Sequence, residues 1–177
     1  MLLDVRDVSV HFGGIVALDG LTFVIKQGDI CGLIGPNGAG KTTMFNVVSR
    51  IYDPFQGSIL FDGKDLLTVP AHEIADLGIA RTFQNLALFP SMSLLENVMV
   101  GAQGSVGFVR AITRIGAQKE NRAIAARSYE LLQDLKLEKF AHHPAGGLPF
   151  GTLKRLEIAR ALAASPKFLL LDEPAAG

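Results

Sequence analysis

The segment Gly35-Pro36-Asn37-Gly38-Ala39-Gly40-Lys41-Thr42 spaces its glycines, lysine and threonine in a pattern that can bind a polyphosphate. Glycines allow successive backbone N–H groups to turn toward phosphate oxygens, and a following helix adds its positive N-terminal end. The lysine ammonium can contact the β- and γ-phosphates, while the threonine hydroxyl can ligate Mg²⁺. The pattern therefore predicts a nucleoside triphosphate site on Gly35, Pro36, Asn37, Gly38, Ala39, Gly40, Lys41, Thr42 and Thr43.

Two carboxylates, Asp172 and Glu173, follow a second apolar run over residues 168–171. In α/β sheets the carboxyl ends of the strands are where ligands bind. Asp172 can hold Mg²⁺ through its water shell, and Glu173 can polarise an attacking water. Acidic residues also commonly end a strand without any catalytic role. The phosphate loop upstream makes metal-dependent hydrolysis the better interpretation.

The elements around these residues predict an α/β fold. Residues 29–34 form a short apolar run that predicts a buried strand before the phosphate loop, with Cys31 buried inside it and unable to form an internal disulfide. A helix is predicted to begin at Thr43. Alternating patterns predict further strands over residues 3–10 and 21–25, and another over 57–64 that runs into an Asp-Gly turn. Together these three segments suggest a small antiparallel sheet.

The remainder of the sequence is mostly helical in pattern. Residues 71–77 are predicted to form a helix that ends at Gly78, followed by a strand over 79–83. A helical pattern spans 93–137, with glycine-bearing breaks over 101–107 and at Gly116. A loop over 142–147 precedes a helix over 152–164. The adjacent histidines of that loop have no cysteine or carboxylate cluster beside them, so a polar loop is favoured over a metal site.

The composition limits the kinds of molecule that the protein is expected to bind. Lys+Arg and Asp+Glu are equal at 17 each, so no basic field exists to attract nucleic acid. The hydrophobic fraction of 49% fits either a parallel sheet buried on both faces or an apolar surface that meets a partner. No apolar run is long enough to cross a bilayer, and the first residues lack a signal-peptide pattern. We therefore expect a cytosolic protein.

The segment from Leu148 to Leu162 carries a family resemblance. It is similar to the signature Leu-Ser-Gly-Gly-Gln and its following helix in the ATP-binding subunits of ABC transporters. The resemblance spans the whole chain. It implies a P-loop core sheet, an N-terminal antiparallel β-subdomain and an inserted helical subdomain. We expect one ATPase domain over residues 1–177, divided into 1–86, 87–164 and 165–177, and incomplete at its C-terminus.

The same resemblance assigns roles to individual residues. Gln84 matches the family's glutamine that contacts Mg²⁺ and the attacking water, and that begins the segment facing the membrane subunit. Phe12 matches the aromatic residue that stacks on adenine, although singly it would more often be a core residue. The implied cofactors are ATP and Mg²⁺, with Thr42, Gln84 and Asp172 at the metal. The implied catalytic residues are Lys41, Gln84 and Glu173.

The signature departs from the family pattern at two positions. Pro149 replaces the serine and Phe150 replaces the first glycine. In the family, this serine and neighbouring N–H groups contact the γ-phosphate held by the opposite subunit. Pro149 has neither hydroxyl nor N–H, but it suits the start of a helix. Phe150, Gly151 and Thr152 are predicted to offer N–H groups there instead, so we expect a modified site rather than a lost one.

Within the family, residues 80–85 and 172–177 look like the branched-chain amino-acid importers. The resemblance implies ATP hydrolysis that powers import from the cytoplasmic face of the membrane. Its partners would be an identical or different second ATPase subunit, transmembrane permease subunits and, indirectly, a periplasmic solute-binding protein, with no nucleic acid. The alternatives are a nucleotide-binding fragment without turnover, or an ATPase of another ABC system such as lipid export or a soluble ABC protein.

Two further expectations concern the length of the chain and its middle. Family members continue beyond this sequence with an Asp-bearing loop and a histidine at the γ-phosphate, and none of the four histidines here matches it. We therefore expect ATP hydrolysis in the complete protein but no hydrolysis at a useful rate in the 177-residue chain. An apolar cluster after Gln84 is predicted to serve partly as core and partly as a groove for a membrane-subunit helix. Its members are Leu86, Leu88, Phe89, Met92, Leu94 and Leu95.

Overall fold

A computed structural model describes residues 1–82, 86–102 and 117–173 of the protein. The chain forms two compact units, Met1–Ile74 and Ala75–Gly177. The predicted division into residues 1–86, 87–164 and 165–177 stays a prediction. Among the described residues, no helix combines the length and the apolar character that a membrane crossing requires.

The first unit is built on a four-stranded sheet with the strand order β2-β1-β3-β4. Its strands are β1 (Leu3–Phe12), β2 (Ile15–Ile25), β3 (Gln56–Phe61) and β4 (Lys64–Asp65). All of its pairings are antiparallel, which confirms the predicted antiparallel sheet. One face is buried through the apolar side chains Leu3, Val5, Val8, Ile59 and Phe61.

A helix, α1 (Lys41–Val48), follows the phosphate loop as the sequence predicts, and Met44, Val47 and Val48 are its buried residues. The predicted helix over residues 71–77 is wrong in extent, because only the single 3₁₀ turn Ala71–Glu73 forms. Of this segment only Ile74 is buried, so it lacks the apolar stripe that stabilises a longer helix by packing.

The run before the phosphate loop differs most from expectation. Residues 29–34 have no regular secondary structure, and both Ile30 and Ile34 are exposed. Cys31 is exposed as well, so the predictions of a buried strand and a buried thiol are both wrong. The physical reason is the lack of strand pairing, since no described strand hydrogen-bonds to this run. An apolar segment becomes a core strand only where neighbours satisfy its backbone and cover its side chains.

The second unit pairs two short parallel strands, β5 (Ile79–Arg81) and β6 (Phe168–Leu170), with Ile79 opposite Phe168. In the described part of this unit, three helices accompany them: α2 (Leu94–Ala102), α3 (Ala117–Asp134) and α4 (Phe150–Ala163). The helices share a core that includes Leu94, Val98, Leu132, Leu137 and Leu156. These elements confirm the predicted strands and helices of this region, apart from their end residues.

Gly101, the first residue of the predicted break over 101–107, is helical, because α2 continues through it to Ala102. A Cβ built at Gly101 would lie 2.1 Å from the Arg160 carbonyl oxygen of α4. The glycine is therefore explained by the close approach of two helices. The rest of that break and Gly116 lie outside the described residues.

Candidate functional site

The phosphate loop requires glycine at its last position before α1. Gly38 and Gly40 both have φ of +83°, in the left-handed region that favours glycine. A Cβ at Gly40 would also lie only 2.4 Å from the Ala17 carbonyl oxygen of β2. The loop therefore packs directly on the β1–β2 hairpin, which fixes where its backbone donors lie.

We expect Gly40→Ala to destabilise the protein more than Gly63→Ala, a matched control in the β3–β4 turn. Gly63 has φ of +80° but nothing within 4 Å of a Cβ, so its substitution adds only left-handed strain, about 1–2 kcal/mol. Gly40→Ala adds the same strain plus a backbone clash. Thermal unfolding of both variants measures the difference. Equal losses of stability in the two variants would show that the close approach of Gly40 to Ala17 does not affect the free energy of unfolding.

The start of α1 presents backbone donors that its own helix does not use. Gly40 precedes the helix without a side-chain cap, and the Met44 N–H donates to the Gly40 carbonyl at 2.9 Å. Among the described residues, no backbone acceptor is found for the N–H groups of Lys41, Thr42 and Thr43. Three donors at the positive end of a helix form a site that suits a phosphate.

The Lys41 side chain bridges the loop that precedes it. Its Nζ donates to the Gly35 carbonyl at 2.6 Å and to the Pro36 carbonyl at 2.8 Å. The ammonium is thereby held against the phosphate loop, with neutral carbonyl oxygens as its acceptors. A phosphate oxygen is a stronger partner for an ammonium than a neutral carbonyl, so an incoming polyphosphate can replace these contacts.

Phe12 lies in the β1–β2 hairpin, which also contains Ala17, the residue that Gly40 of the phosphate loop approaches. It ends β1 and pairs with Ile15 of β2, two residues before Ala17. Its side chain is 43% exposed, so a ring surface is open to a ligand. The predicted base platform and the residue that contacts Gly40 therefore lie in one hairpin of the first unit. Tyr52, which sequence analysis did not single out, contacts the Phe12 ring edge-on at a centroid distance of 5.0 Å.

Asp172 and Glu173 follow β6 in the second unit, as predicted. Asp172 is buried, and its carboxylate accepts a hydrogen bond from the Arg81 guanidinium at 3.0 Å. The Asp172 N–H donates to the Thr82 hydroxyl at 3.2 Å. The end of β5 therefore fixes both the backbone and the side chain of Asp172. Glu173 is exposed and has φ of +48°.

Gln84 lies outside the described residues, so its prediction stays untested. The segment that follows is held by Asn97 of α2, which is fully buried. The Asn97 amide accepts the Phe89 N–H at 2.9 Å and donates to the carbonyls of Phe89 and Ser93 at 3.0 Å each. The Ser93 N–H and hydroxyl both donate to the Glu96 carboxylate at 2.8 Å, and these hydrogen bonds lower the pKa of Glu96.

Part of the apolar cluster in this segment belongs to the helical core, and its predicted role as a groove for a membrane-subunit helix stays a prediction. Leu94 is fully buried in the helical core, and Leu88 and Leu95 pack partly against that core. Phe89 is 43% exposed beside the hydrogen bonds of Asn97. A second link fixes the segment, since the Arg160 guanidinium of α4 donates to the Ala87 carbonyl. Burial lowers the pKa of Arg160, and the neighbouring Glu157 carboxylate opposes this shift.

The modified signature begins α4 as predicted, because Pro149 precedes the first helical residue, Phe150. One predicted donor is corrected. The Thr152 N–H donates to the Pro149 carbonyl at 2.9 Å, so this group is already used within the chain. Phe150 and Gly151 remain as the backbone donors that the start of this helix can offer to a ligand.

A phosphate loop that leads into α1 beside an antiparallel sheet, together with a unit rich in helices, defines an ATP-binding cassette. The family model for ABC transporters matches residues 18–176, and the chain belongs to this family. It is 37% identical, over 99% of its own length and 70% of the relative's, to the high-affinity branched-chain amino acid transport ATP-binding protein BraF of Pseudomonas aeruginosa. It is 38% identical to a probable branched-chain amino acid transport ATP-binding protein, LivG, of Archaeoglobus fulgidus, over 99% and 68%.

Solved structures confirm the predicted fold class. An ATP-binding cassette of an ABC transporter in its ADP conformation matches with a TM-score of 0.83 and 33% identity, over 99% of this chain and 70% of that one. A dimeric cassette in a post-hydrolysis state, bound to ADP and phosphate, matches with a TM-score of 0.76 and 27% identity, over 99% and 75%. The fold is the α/β fold of ABC ATPases.

Proposed function

We propose that the protein binds and hydrolyses ATP to power the import of branched-chain amino acids through an ABC transporter. The observation that carries the proposal is the phosphate loop itself. Three unused N–H groups begin α1, the Lys41 ammonium is hydrogen-bonded to the carbonyls of the loop, and Gly40 packs on β2. The similarity to branched-chain amino acid transport ATP-binding proteins supports the choice of solute.

The proposed site residues have different roles in ATP binding and hydrolysis, which follow from their chemistry. The loop from Gly35 to Thr43 holds the phosphates, and Phe12 stacks on the adenine. Glu173 activates the attacking water, which needs a basic group of the kind that a carboxylate provides. Gln84 is proposed to contact this water from the segment that faces the membrane subunit.

Mg²⁺ is the cation that this chemistry requires, and each proposed donor is of a chemical type that the ion accepts. Thr42 has an exposed hydroxyl that makes no hydrogen bond to any described residue, and Asp172 contributes a carboxylate. Hydroxyl, carboxylate and amide oxygens are the hard ligands that Mg²⁺ accepts. We propose Thr42, Gln84 and Asp172 as the residues that hold it. When bound, the cation neutralises charge on the β- and γ-phosphates.

The assembly follows from the position of the signature. We propose that two ATPase subunits associate, with the N–H groups of Phe150 and Gly151 directed to the nucleotide of the partner. The pair would lie at the cytoplasmic face of the membrane against permease subunits. A periplasmic solute-binding protein would deliver the solute to these subunits. The dimeric cassette among the similar structures supports this arrangement.

The proposed solute is tested by measuring leucine uptake in cells whose chromosomal copy of the gene carries Lys41→Ala. We expect uptake of radiolabelled leucine to fall to the level of a deletion strain, while uptake of a labelled sugar is unchanged. Lys64→Ala, which changes a lysine of the short strand β4 in the same unit, is the matched control and should transport normally. Leucine uptake that is unaffected by Lys41→Ala would contradict the proposed solute.

A further prediction concerns contact with the membrane subunit. We expect Phe89→Glu to abolish leucine uptake while leaving ATP affinity and thermal stability near wild type, because this ring is 43% exposed and its backbone is fixed by Asn97. Leu94→Glu, at a fully buried position, should instead unfold the protein. If Phe89→Glu lowers the melting temperature as much as Leu94→Glu, Phe89 belongs to the core and not to a docking surface.

A further inference from the structure

We propose that Tyr52 is a positioning residue that orients the Phe12 ring for stacking on the nucleotide base. The inference rests on the proposed function, in which Phe12 is the base platform. Neither the family signatures nor the sequence pattern points to Tyr52.

Phe12 needs an external support for its orientation. It is the last residue of β1, and the pairing of β1 with β3 has already ended at Ser9, opposite Gln56. Beyond that point β1 has a strand neighbour on one side only, and the Phe12 side chain is 43% exposed. A ring in this position is free to turn unless another group packs on it.

Tyr52 provides that support with a defined geometry. The centroids of the Phe12 and Tyr52 rings are 5.0 Å apart and their planes meet at 71°. This is the edge-to-face arrangement that aromatic pairs prefer. Tyr52 is itself 39% exposed, so the pair is not sealed inside the core and lies where a ligand can reach it.

The backbone of Tyr52 is anchored to the helix that begins at the phosphate loop. The N–H groups of Ile51 and Tyr52 both donate to the Asn46 carbonyl of α1, at 2.8 Å and 3.4 Å. Arg50 follows α1 in a left-handed conformation with φ of +59°, and its Nε donates to the Val69 carbonyl at 3.1 Å. The turn that carries Tyr52 is therefore fixed from two directions.

The same turn is also tied back to the strand that carries Phe12. The Phe55 N–H donates to the Ser9 carbonyl of β1 at 2.7 Å. α1 has eight residues, which corresponds to a length of about 12 Å. Its first residues meet the phosphates, and the turn after its end meets the platform ring. Tyr52 thus links the base end and the phosphate end of one nucleotide site.

The expected effect is on base recognition and not on phosphate binding. A ring held in its bound orientation loses less freedom when the base stacks on it, so affinity rises without a new contact to the ligand. An edge-to-face pair contributes a factor of about 2 to 12 in an equilibrium constant. Loss of Tyr52 should therefore weaken ATP binding within this range.

The test compares Mg²⁺–ATP with Mg²⁺–tripolyphosphate, which has the phosphates and no base, by calorimetric titration of the purified protein. We expect Phe12→Ala to remove most of the advantage of ATP over tripolyphosphate. Tyr52→Ala should reduce the advantage about fivefold, and Tyr52→Phe should keep it because the ring remains. In Phe12→Ala the further change Tyr52→Ala should have no effect. Ile51→Ala, at a 51% exposed neighbour, is the matched control.

Three results would overturn the inference. They are an unchanged ATP-to-tripolyphosphate ratio in Tyr52→Ala, an equal loss for both ligands, and full additivity in the double variant. An equal loss would mean that Tyr52 supports the phosphate loop through α1. Failure of the base platform is recognised separately, because Phe12→Ala alone would then leave the ratio unchanged.

Discussion

In a form of the protein as long as its relatives, Glu173→Gln is expected to bind ATP with wild-type affinity and to release phosphate at least about a hundredfold more slowly. Glutamine keeps the shape of the side chain and a hydrogen bond but cannot accept the proton of the attacking water, and general-base catalysis is worth about 10²–10⁴ in rate. The residue is exposed and directly follows Asp172 at the end of β6. Phosphate release under single-turnover conditions measures the effect.

Size-exclusion chromatography gives a second signature of the same variant. Because ATP is held but not cleaved, Glu173→Gln should accumulate as an ATP-bound dimer. Wild type hydrolyses its ATP and should not accumulate as this dimer. Glu138→Gln, at an exposed carboxylate after α3, is the matched control and should hydrolyse ATP normally. Turnover near the wild-type rate in Glu173→Gln would assign the base to another residue.

The second large effect is expected from Lys41→Ala, which should weaken ATP binding by well over tenfold. A micromolar site corresponds to about 8 kcal/mol, and loss of a charge that pairs with a buried partner costs about 2–5 kcal/mol. The Lys41 ammonium also bridges the Gly35 and Pro36 carbonyls, so its removal leaves the loop less ordered. Both effects act in the same direction.

Calorimetric titration of Lys41→Ala should show the loss for ATP and for tripolyphosphate alike, since the lysine acts on phosphates and not on the base. Lys64→Ala removes an exposed lysine from the same unit and should leave both affinities unchanged. Wild-type affinity for tripolyphosphate in Lys41→Ala would contradict the assignment of the phosphate loop.

The features that sequence analysis predicted correctly are those set by neighbours in the chain. The phosphate loop follows from glycines whose positive φ angles are needed at residues 38 and 40. The antiparallel sheet follows from alternation and from short turns such as Asp62–Gly63. Pro149 at the start of α4 follows from the fixed φ of proline. The glycine angles, the turns and the helix start depend on chemistry within a few residues, although the pairing of β1 with β3 joins distant ones.

The features that it missed depend on residues distant in sequence. The run 29–34 looks like a core strand by composition, but no described strand pairs with it. Gly101 looks like a helix break, yet it allows α2 to approach α4 closely at Arg160, which is 59 positions further along the chain. Contacts such as Arg81 with Asp172 and Phe12 with Tyr52 follow no local pattern. No single-sequence signal reports which of several compatible partners will meet.

The most direct test is a crystal structure of the protein with Mg²⁺ and a non-hydrolysable ATP analogue. We expect the triphosphate on the N–H groups at the start of α1, with the Lys41 ammonium turned from the Gly35 and Pro36 carbonyls to phosphate oxygens. The adenine should stack on the Phe12 ring, with Tyr52 still edge-on against it. A triphosphate bound away from α1, or an adenine that does not touch Phe12, would contradict the proposed nucleotide site.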